Sequence, residues 1–176
     1  MDAALAERAS KIRMLILDVD GVLTDGKLYF DHAGNEMKAF NTRDGLGIKA
    51  LQRVGIEIAV ITGRKSGVVT SRMEQLAVRY VYQGREDKLS AFIDLLKKTG
   101  MEEHQVCFAG DDWIDIPVLL RVGLAVTVAD AEVEVKNRSH WITSRNGGDG
   151  AVREICNLIL EAQSKQQVIM DEILAR

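Results

Sequence analysis

Long apolar runs, cysteine and proline are all scarce in this 176-residue sequence, and their scarcity excludes several classes of protein. No apolar stretch approaches the length of a membrane-spanning helix, and the first residues lack the basic and apolar segments of a secretion signal. The two cysteines, Cys107 and Cys156, lie in apolar segments without metal-site spacing, which indicates reduced core residues in a reducing compartment. We therefore expect a cytoplasmic protein.

A strong charge of either sign is also absent. The net charge of −3 offers no electrostatic argument for binding nucleic acid or an anionic membrane. Repeats, low-complexity tracts and linkers are missing too, and the hydrophobic fraction of 47% is that of an ordinary globular protein. We therefore predict a single domain spanning residues 1–176.

Apolar segments that suit buried strands alternate along the chain with amphipathic segments that suit helices. The strand candidates are residues 14–17, 56–61, 80–82, 106–109, 124–128 and 141–143. The main helix candidates are residues 44–54, with Asp44 as the N-cap, then 65–76, 86–99 and a long helix from 151. This alternation predicts an α/β fold, a Rossmann-like open parallel sheet with helices on both faces.

Two segments depart from the alternation. Residues 27–40 contain two short apolar stretches around a Gly-Asn turn, which predicts a β-hairpin. Since isolated hairpins are marginally stable, we expect it to pack either on another subunit or on its own domain. The C-terminal helix and tail occupy residues 151–176, and the tail beyond Gln163 carries more apolar side chains than its own domain needs. The tail therefore either covers a neighbouring subunit's site or is disordered.

The chain is organised around the acidic sequence that follows its first strand. Asp18 and Asp20 stand at i and i+2, so in a continuing strand both carboxylates would lie on one face. Two close carboxylates repel each other unless a cation or a shared proton compensates, and oxygen ligands suit Mg²⁺. The alternative is an acidic surface turn without chemistry.

Two further strand candidates end in polar residues. These are Thr62-Gly63-Arg64 and Gly110-Asp111-Asp112, and the carboxyl ends of parallel strands meet at one edge of a sheet. Lys88 lies in the first turn of a helix, where its charge opposes the helix dipole. It either reaches towards the acids or is an ordinary surface lysine.

Together these residues suit the transfer of a phosphoryl group to a carboxylate. An aspartate can form an aspartyl-phosphate, while a second acid protonates the leaving oxygen and later activates water. Mg²⁺ bridging Asp18 and Asp111 would offset the repulsion between the nucleophile and the substrate. The Thr62 hydroxyl, the Gly63 amide and Lys88 would stabilise the charge on the phosphoryl oxygens.

The order and spacing of these motifs resemble those of the haloacid dehalogenase superfamily of phosphatases. Its first motif is matched by residues 18–22, its second by Thr62-Gly63, its third by Lys88 and its fourth by residues 110–115. The resemblance implies that Asp18 is the nucleophile and Asp20 the acid/base. It further implies Mg²⁺ held by Asp18, the Asp20 backbone carbonyl and Asp111, with Asp112 and Asp115 supporting the metal-bound water and Lys88.

Residues 39–45, 61–64 and 147–154 narrow the resemblance to the capless family of 3-deoxy-D-manno-octulosonate 8-phosphate phosphatases of lipopolysaccharide synthesis. This implies a hairpin in place of a cap domain, and a homotetramer with shared active sites. Lys49 stands where arginine is expected and lacks its bidentate geometry. The implied substrate contacts are Asp20, Asn41, Thr42, Arg43, Asp44, Gly45, Lys49, Gly63, Arg64, Arg72 and Lys88.

Two alternatives to this function stay open. A related capless phosphatase could act on a nine-carbon, sialic-acid-type 9-phosphate, since such enzymes share many of these motifs. A protein that accepts phosphate without turnover, as a scaffold, would be expected to lack Asp20 or Lys88, and both are present.

Overall fold

The computed structural model of this protein describes residues 2–175, which contain eight strands and eight helices. The strands are β1 (Met14–Leu17), β2 (Tyr29–Phe30), β3 (Glu36–Met37), β4 (Glu57–Ile61), β5 (Tyr80–Tyr82), β6 (Val106–Ala109), β7 (Leu124–Thr127) and β8 (Trp141–Ile142). The helices are α1 (Ala3–Ser10), α2 (Thr42–Arg53), α3 (Gly67–Gln75), α4 (Lys88–Thr99), α5 (Ile116–Leu119), α6 (Val133–Lys136), α7 (Ala151–Ala162) and α8 (Gln166–Leu174). Short 3₁₀ turns precede β6 and α5.

Six of the strands form one parallel sheet in the order β5-β4-β1-β6-β7-β8. Every residue of β1 is buried, because helices cover both faces of the sheet. Leu15 and Leu17 face a core shared with α1, α2, α3, α7 and α8, whereas Met14 and Ile16 face a second core with α4, α5 and α6. The predicted α/β architecture is therefore confirmed.

The sheet order reverses at β1, which pairs with β4 on one side and β6 on the other. The crevice at the carboxyl ends of such strands is where open α/β sheets bind ligands. Asp18, Thr62 and Gly110 each follow one of these three strands directly. The backbone amide of Asp18 also donates to the Ala109 carbonyl at 2.9 Å, which ties the end of β1 to the end of β6.

The predicted hairpin forms from β2 and β3, which pair antiparallel. Its turn is held by the Asp31 carboxylate, which accepts hydrogen bonds from the amides of Ala33 and Asn35 at 2.8 Å each. The hairpin exposes four large apolar side chains: Leu28, Tyr29, Phe30 and Met37. These side chains are available to a partner, so packing on another subunit stays a prediction.

The start of α2 differs from the prediction. The helix begins at Thr42, and Asn41 is its N-cap because the Asn41 Oδ1 accepts from the Arg43 amide at 2.9 Å. The prediction that Asp44 caps this helix is wrong. Asp44 is instead buried in the first turn of α2, where it caps a different helix: its Oδ1 accepts from the Arg153 amide in the first turn of α7 at 2.7 Å.

The tail is helical, so the expectation of disorder is wrong for residues 166–174. Helix α8 buries Ile169 in the core, and the Lys165 ammonium donates to the Val54 carbonyl at 3.1 Å. Whether the tail covers a neighbouring site stays a prediction. Among residues 2–175, no helix combines the length and apolar character that crossing a membrane requires.

Burial of Asp44 generates a prediction about stability and pH. Burial raises the pKa of this carboxyl to about 6, despite its hydrogen bond from Arg153. Since the folded state keeps the proton to a higher pH than the unfolded state, stability falls as the pH rises from about 4 to about 6. Asp44→Asn keeps an acceptor without the charge, so we expect it to remove the contribution of Asp44 and to make this slope shallower in denaturant unfolding.

Asp44→Ala is the matched variant, because it removes the acceptor as well as the charge. Relative to Asp44→Asn, which also lacks the charge, we expect it to lower the free energy of unfolding by about 1–2 kcal/mol at pH 7.5, as for the loss of a helix cap. Equal stability of the alanine and asparagine variants would show that the carboxylate does not cap α7.

Candidate active site

The loop after β1 carries Asp18 and turns sharply at Gly21. Asp18 is almost fully buried, and the backbone of Gly21 has φ = +95°, which favours glycine. A side chain at Gly21 would also bring a Cβ within 2.8 Å of the Asp111 Oδ1. Glycine at this position therefore allows the Asp111 carboxylate to approach the loop that carries Asp18.

Lys88 lies beneath Asp18, at the start of α4. Its ammonium is buried, 2.5 Å from the Asp115 Oδ1 and 2.9 Å from the Asp18 Oδ1. Burial alone would lower the pKa of Lys88, but the two carboxylates raise it above its ordinary value. The lysine is therefore charged at neutral pH, and the interpretation of Lys88 as a surface residue is wrong.

Both oxygens of Asp115 are already engaged. Oδ1 pairs with Lys88, and Oδ2 accepts from the amides of Asp111 and Asp112 at 3.0 and 3.2 Å. Asp115 is buried, so it holds Lys88 and shapes the loop after β6. Asp112 is exposed and accepts from the Trp113 amide at 2.7 Å.

Asp18 and Asp111 carry the carboxylate oxygens that lack partners. Together with Asp115 they offer ligand atoms within 4.8 Å of one another. The Asp111 Oδ1 is buried without a hydrogen-bond partner among residues 2–175, and the Asp18 Oδ1 has only its ion pair with Lys88. Burial and neighbouring carboxylates raise the pKa of Asp18 to about 7 and that of Asp111 to about 8.

This donor set fits a hard divalent cation. Carboxylate oxygens suit Mg²⁺, and its charge would compensate the repulsion that otherwise raises the pKa values of Asp18 and Asp111. Because the Asp115 oxygens are engaged, Asp18 and Asp111 are the side chains that would hold the ion. The contribution of the Asp20 backbone carbonyl stays a prediction.

The three strand ends enclose an open cleft of about 270 Å³ above these acids. Thr62 is buried at the end of β4, and its amide donates to the Tyr82 carbonyl at 2.9 Å. The residues that line the cleft are Asp18, Asp20, Gly26, Thr62, Gly63, Arg64, Asp111, Asp112 and Ile114. Residues that are far apart in the chain but end neighbouring strands thus meet around one cleft.

Asp20 contacts a cluster of charges on the hairpin. One of its carboxylate oxygens pairs with the ammonium of Lys38, which also lies 3.3 Å from the Glu36 Oε1. Arg64 connects to the same cluster, donating to Glu36 at 3.0 Å. Our sequence interpretation missed Lys38 and Glu36; the signal was their i, i+2 spacing, which places both side chains on one face of a strand.

Comparisons with known proteins agree with this geometry. Residues 70–155 match the family described as haloacid dehalogenase-like hydrolase. The 3-deoxy-D-manno-octulosonate 8-phosphate phosphatase KdsC of Escherichia coli K12 is 48% identical over 165 residues, covering 94% of this chain and 88% of that protein. The chain belongs to the KdsC family.

Solved structures of KdsC-family phosphatases have the same fold. The Yersinia pestis enzyme superposes with a TM-score of 0.94 at 46% identity, over 95% of this chain and 90% of that one. The Moraxella catarrhalis enzyme, solved with a magnesium ion, a phosphate ion and KDO, superposes with a TM-score of 0.94 at 38% identity, over 96% and 97%. The predicted family and fold are therefore confirmed.

Not every residue proposed from the KdsC resemblance lines the cleft of one chain. Apart from Lys88, which is buried beneath Asp18, the absent ones lie on α2 and α3 or at the α2 cap. Arg43 is exposed at the start of α2, whereas Arg72 stacks over the Phe40 ring at 5.8 Å. Those outside the cleft are Asn41, Thr42, Arg43, Asp44, Gly45, Lys49, Arg72 and Lys88. Their substrate contacts therefore stay predictions.

Asn41 connects α2 to the glycine-rich turn at residues 147–150. Its Nδ2 donates to the Gly148 carbonyl at 3.2 Å, and the Gly148 amide donates to Val22 at 3.1 Å. A Cβ at Gly147 would lie only 3.0 Å from the Thr24 carbonyl oxygen. This turn therefore packs against the loop that carries Asp18.

The unpaired acids generate a prediction about metal binding. With Mg²⁺ at about 100 times its Kd, linkage should add about 2.7 kcal/mol to the free energy of unfolding. For a chain of this size, that raises Tm by several degrees. We expect Asp111→Asn to abolish the Mg²⁺-induced shift in a thermal melt, because it removes one of the two carboxylates that would hold the ion.

Asp94→Asn is the control, since Asp94 is a surface acid on α4 that pairs with Lys98. This variant should keep the full shift. An undiminished Mg²⁺ shift in Asp111→Asn would contradict the assignment of the metal site.

Proposed function

We propose that this chain is a magnesium-dependent phosphatase that hydrolyses 3-deoxy-D-manno-octulosonate 8-phosphate to the free sugar acid and inorganic phosphate. The observation that carries the proposal is the position of Asp18. Its carboxylate lies at the base of the cleft, beside the Lys88 ammonium and the unpaired oxygen of Asp111. The similarity to KdsC phosphatases over most of the chain supports this substrate, a precursor of lipopolysaccharide.

Asp18 acts as the nucleophile. One of its oxygens attacks the phosphorus, the bond from phosphorus to the sugar oxygen breaks, and an aspartyl-phosphate forms. Asp20 gives its proton to the departing sugar oxygen. Water then attacks the same phosphorus, Asp20 accepts a proton from that water, and phosphate leaves with Asp18 regenerated.

The remaining residues of the cleft bind the phosphoryl oxygens. The Thr62 hydroxyl and the Gly63 amide follow β4, opposite Asp111, and Lys88 adds a fixed positive charge from below. Mg²⁺, held by Asp18 and Asp111, supplies further positive charge that offsets the repulsion between the anionic nucleophile and the anionic substrate. In-line attack is then favoured because each group is positioned before the substrate binds.

The substrate's own carboxylate requires a cation at the mouth of the cleft. Arg64 lines the cleft, and its side chain is 45% exposed, so its guanidinium can reach a bound anion. A guanidinium binds carboxylate through paired hydrogen bonds. Among the cationic side chains of a single chain, Arg64 is therefore the best placed to bind the carboxylate of an acidic sugar.

We further propose a homotetramer with shared active sites, located in the cytoplasm. The exposed apolar hairpin and the placement of Arg43, Lys49 and Arg72 outside the cleft support a site that a neighbouring subunit completes. The two buried free cysteines, Cys107 and Cys156, suit a reducing compartment.

The function is tested by phosphate release from the eight-carbon 8-phosphate and from a nine-carbon sialic-acid-type 9-phosphate, with Mg²⁺ and after chelation. We expect a higher kcat/KM for the eight-carbon substrate and loss of turnover on chelation. Asp18→Asn should reduce kcat by on the order of 10³-fold or more, because the amide cannot form the aspartyl-phosphate.

The Asp18→Asn variant should stay folded, since Lys88 keeps its pairing with Asp115. A higher kcat/KM for the nine-carbon substrate would overturn the proposed substrate and leave the proposed mechanism unchanged. Comparable turnover by folded Asp18→Asn would overturn the nucleophile assignment, and a folded wild type without any turnover would favour the scaffold.

Assembly is tested by sedimentation of a hairpin variant. Phe30 is 54% exposed on the hairpin, so Phe30→Glu should convert the tetramer to smaller species and reduce turnover of the sugar phosphate. Leu120→Glu is the matched control, because Leu120 is an apolar side chain that is 65% exposed and follows α5, outside the hairpin. A wild-type monomer with full activity would exclude shared sites.

A further inference from the structure

Lys38 is a buried cation that neither the phosphate chemistry nor the metal site uses. It follows β3, and only 1% of its side chain is exposed. Its ammonium pairs with the Asp20 Oδ1 and lies 3.3 Å from the Glu36 Oε1. The ammonium contacts two carboxylates, and the side chain has no exposed surface left to bind a substrate.

Asp20 has few other contacts to hold it. It lies in the loop after β1, outside any helix or strand, and its carboxylate is 20% exposed. The nearest other cation is Arg64, whose Nε is 3.8 Å from the Asp20 Oδ2, beyond hydrogen-bonding distance. The two oxygens are therefore unequal: Oδ1 is paired with Lys38, whereas among residues 2–175 no cation lies within hydrogen-bonding distance of Oδ2.

The hairpin holds Lys38 in place through Glu36. The Glu36 carboxylate lies between the Lys38 ammonium and the Arg64 guanidinium, which donates to it at 3.0 Å. Positive and negative groups thus alternate from Asp20 through Lys38 and Glu36 to Arg64. This arrangement connects the hairpin and the end of β4 to a single carboxylate.

We propose that Lys38 is a positioning residue for the acid/base Asp20. By binding Oδ1, it orients the carboxylate so that Oδ2 faces the oxygen of the departing alcohol. The inference rests on the proposed function, in which Asp20 protonates that oxygen as its bond to phosphorus breaks. It assigns the hairpin a part in proton transfer, in addition to any part in assembly.

The test compares two leaving groups in the Lys38→Met variant. The sugar phosphate releases an alkoxide, which needs a proton as it leaves. The p-nitrophenolate released from p-nitrophenyl phosphate does not need one. Since general acid catalysis contributes about 10²–10⁴-fold, we expect kcat/KM for the sugar phosphate to fall by about 10–100-fold, through kcat and not through KM. With p-nitrophenyl phosphate, kcat/KM should change by less than about threefold, because it reports binding and nucleophilic attack and not the later hydrolysis of the aspartyl-phosphate, in which Asp20 is the base.

Conservative and neighbouring substitutions provide the controls. Lys38→Arg should recover much of the sugar-phosphate rate, because it restores a cation at Oδ1. Lys27→Met removes another lysine near the hairpin, one that is exposed and pairs with Asp25, and it should leave both rates unchanged. If Lys38→Met does not fold, Lys38→Gln supplies the same comparison with a neutral hydrogen-bond donor.

Three outcomes would overturn the proposal. Equal losses of kcat/KM with both substrates in Lys38→Met would show a structural role. A higher KM for the sugar phosphate with unchanged kcat would show a substrate contact. In an Asp20→Asn background, a further large loss from Lys38→Met would show that the two residues act independently. Wild-type turnover of the sugar phosphate tests the proposed function separately, because the variants can be compared on any alkyl phosphate that the wild type hydrolyses.

Discussion

The buried ion pair between Lys88 and the carboxylates of Asp18 and Asp115 is the interaction on which the rest of the site depends. Two acids at the end of a buried strand would repel each other, and burial would drive them to take up protons. A lysine enclosed between Asp18 and Asp115 supplies a fixed charge that opposes both effects. Within the described residues 2–175, Asp111 has no such partner, so the site lacks one positive charge, which a divalent cation can provide.

The topology of the sheet brings these charged groups together without long loops that would have to be ordered. Three adjacent parallel strands end at the same edge, so Asp18, Thr62 and Asp111 need only short loops to face one another. Both faces of the sheet carry their own apolar core, which keeps the strand ends in register. The site therefore rests on strands that are packed on both faces, and catalysis by positioned groups favours such a support.

Much of this could be predicted from the sequence because the signals are local. Alternating apolar strands and amphipathic helices indicated the sheet, and motif spacing indicated which strand ends carry acids. The contacts of Asp44 and Lys38 could not be predicted, since each depends on a partner in a distant element: the first turn of α7 for Asp44 and the loop after β1 for Lys38. The helical structure of the tail was not predicted, because its apolar residues suit either a helix packed on this chain or contact with a partner. The burial of Ile169 depends on distant elements of the same core.

The close approach of two glycine-containing turns restricts how this protein can change over evolution. Gly21 and Gly147 meet backbone to backbone, so a Cβ added at Gly147 would lie 2.5 Å from the carbonyl carbon of Gly21. Neither turn has the appearance of a core segment, yet a methyl group at Gly147 would clash with the Gly21 backbone, and one at Gly21 would clash with the Asp111 carboxylate. Mutational tolerance in this protein should therefore follow distance from the β1 loop more closely than it follows solvent exposure.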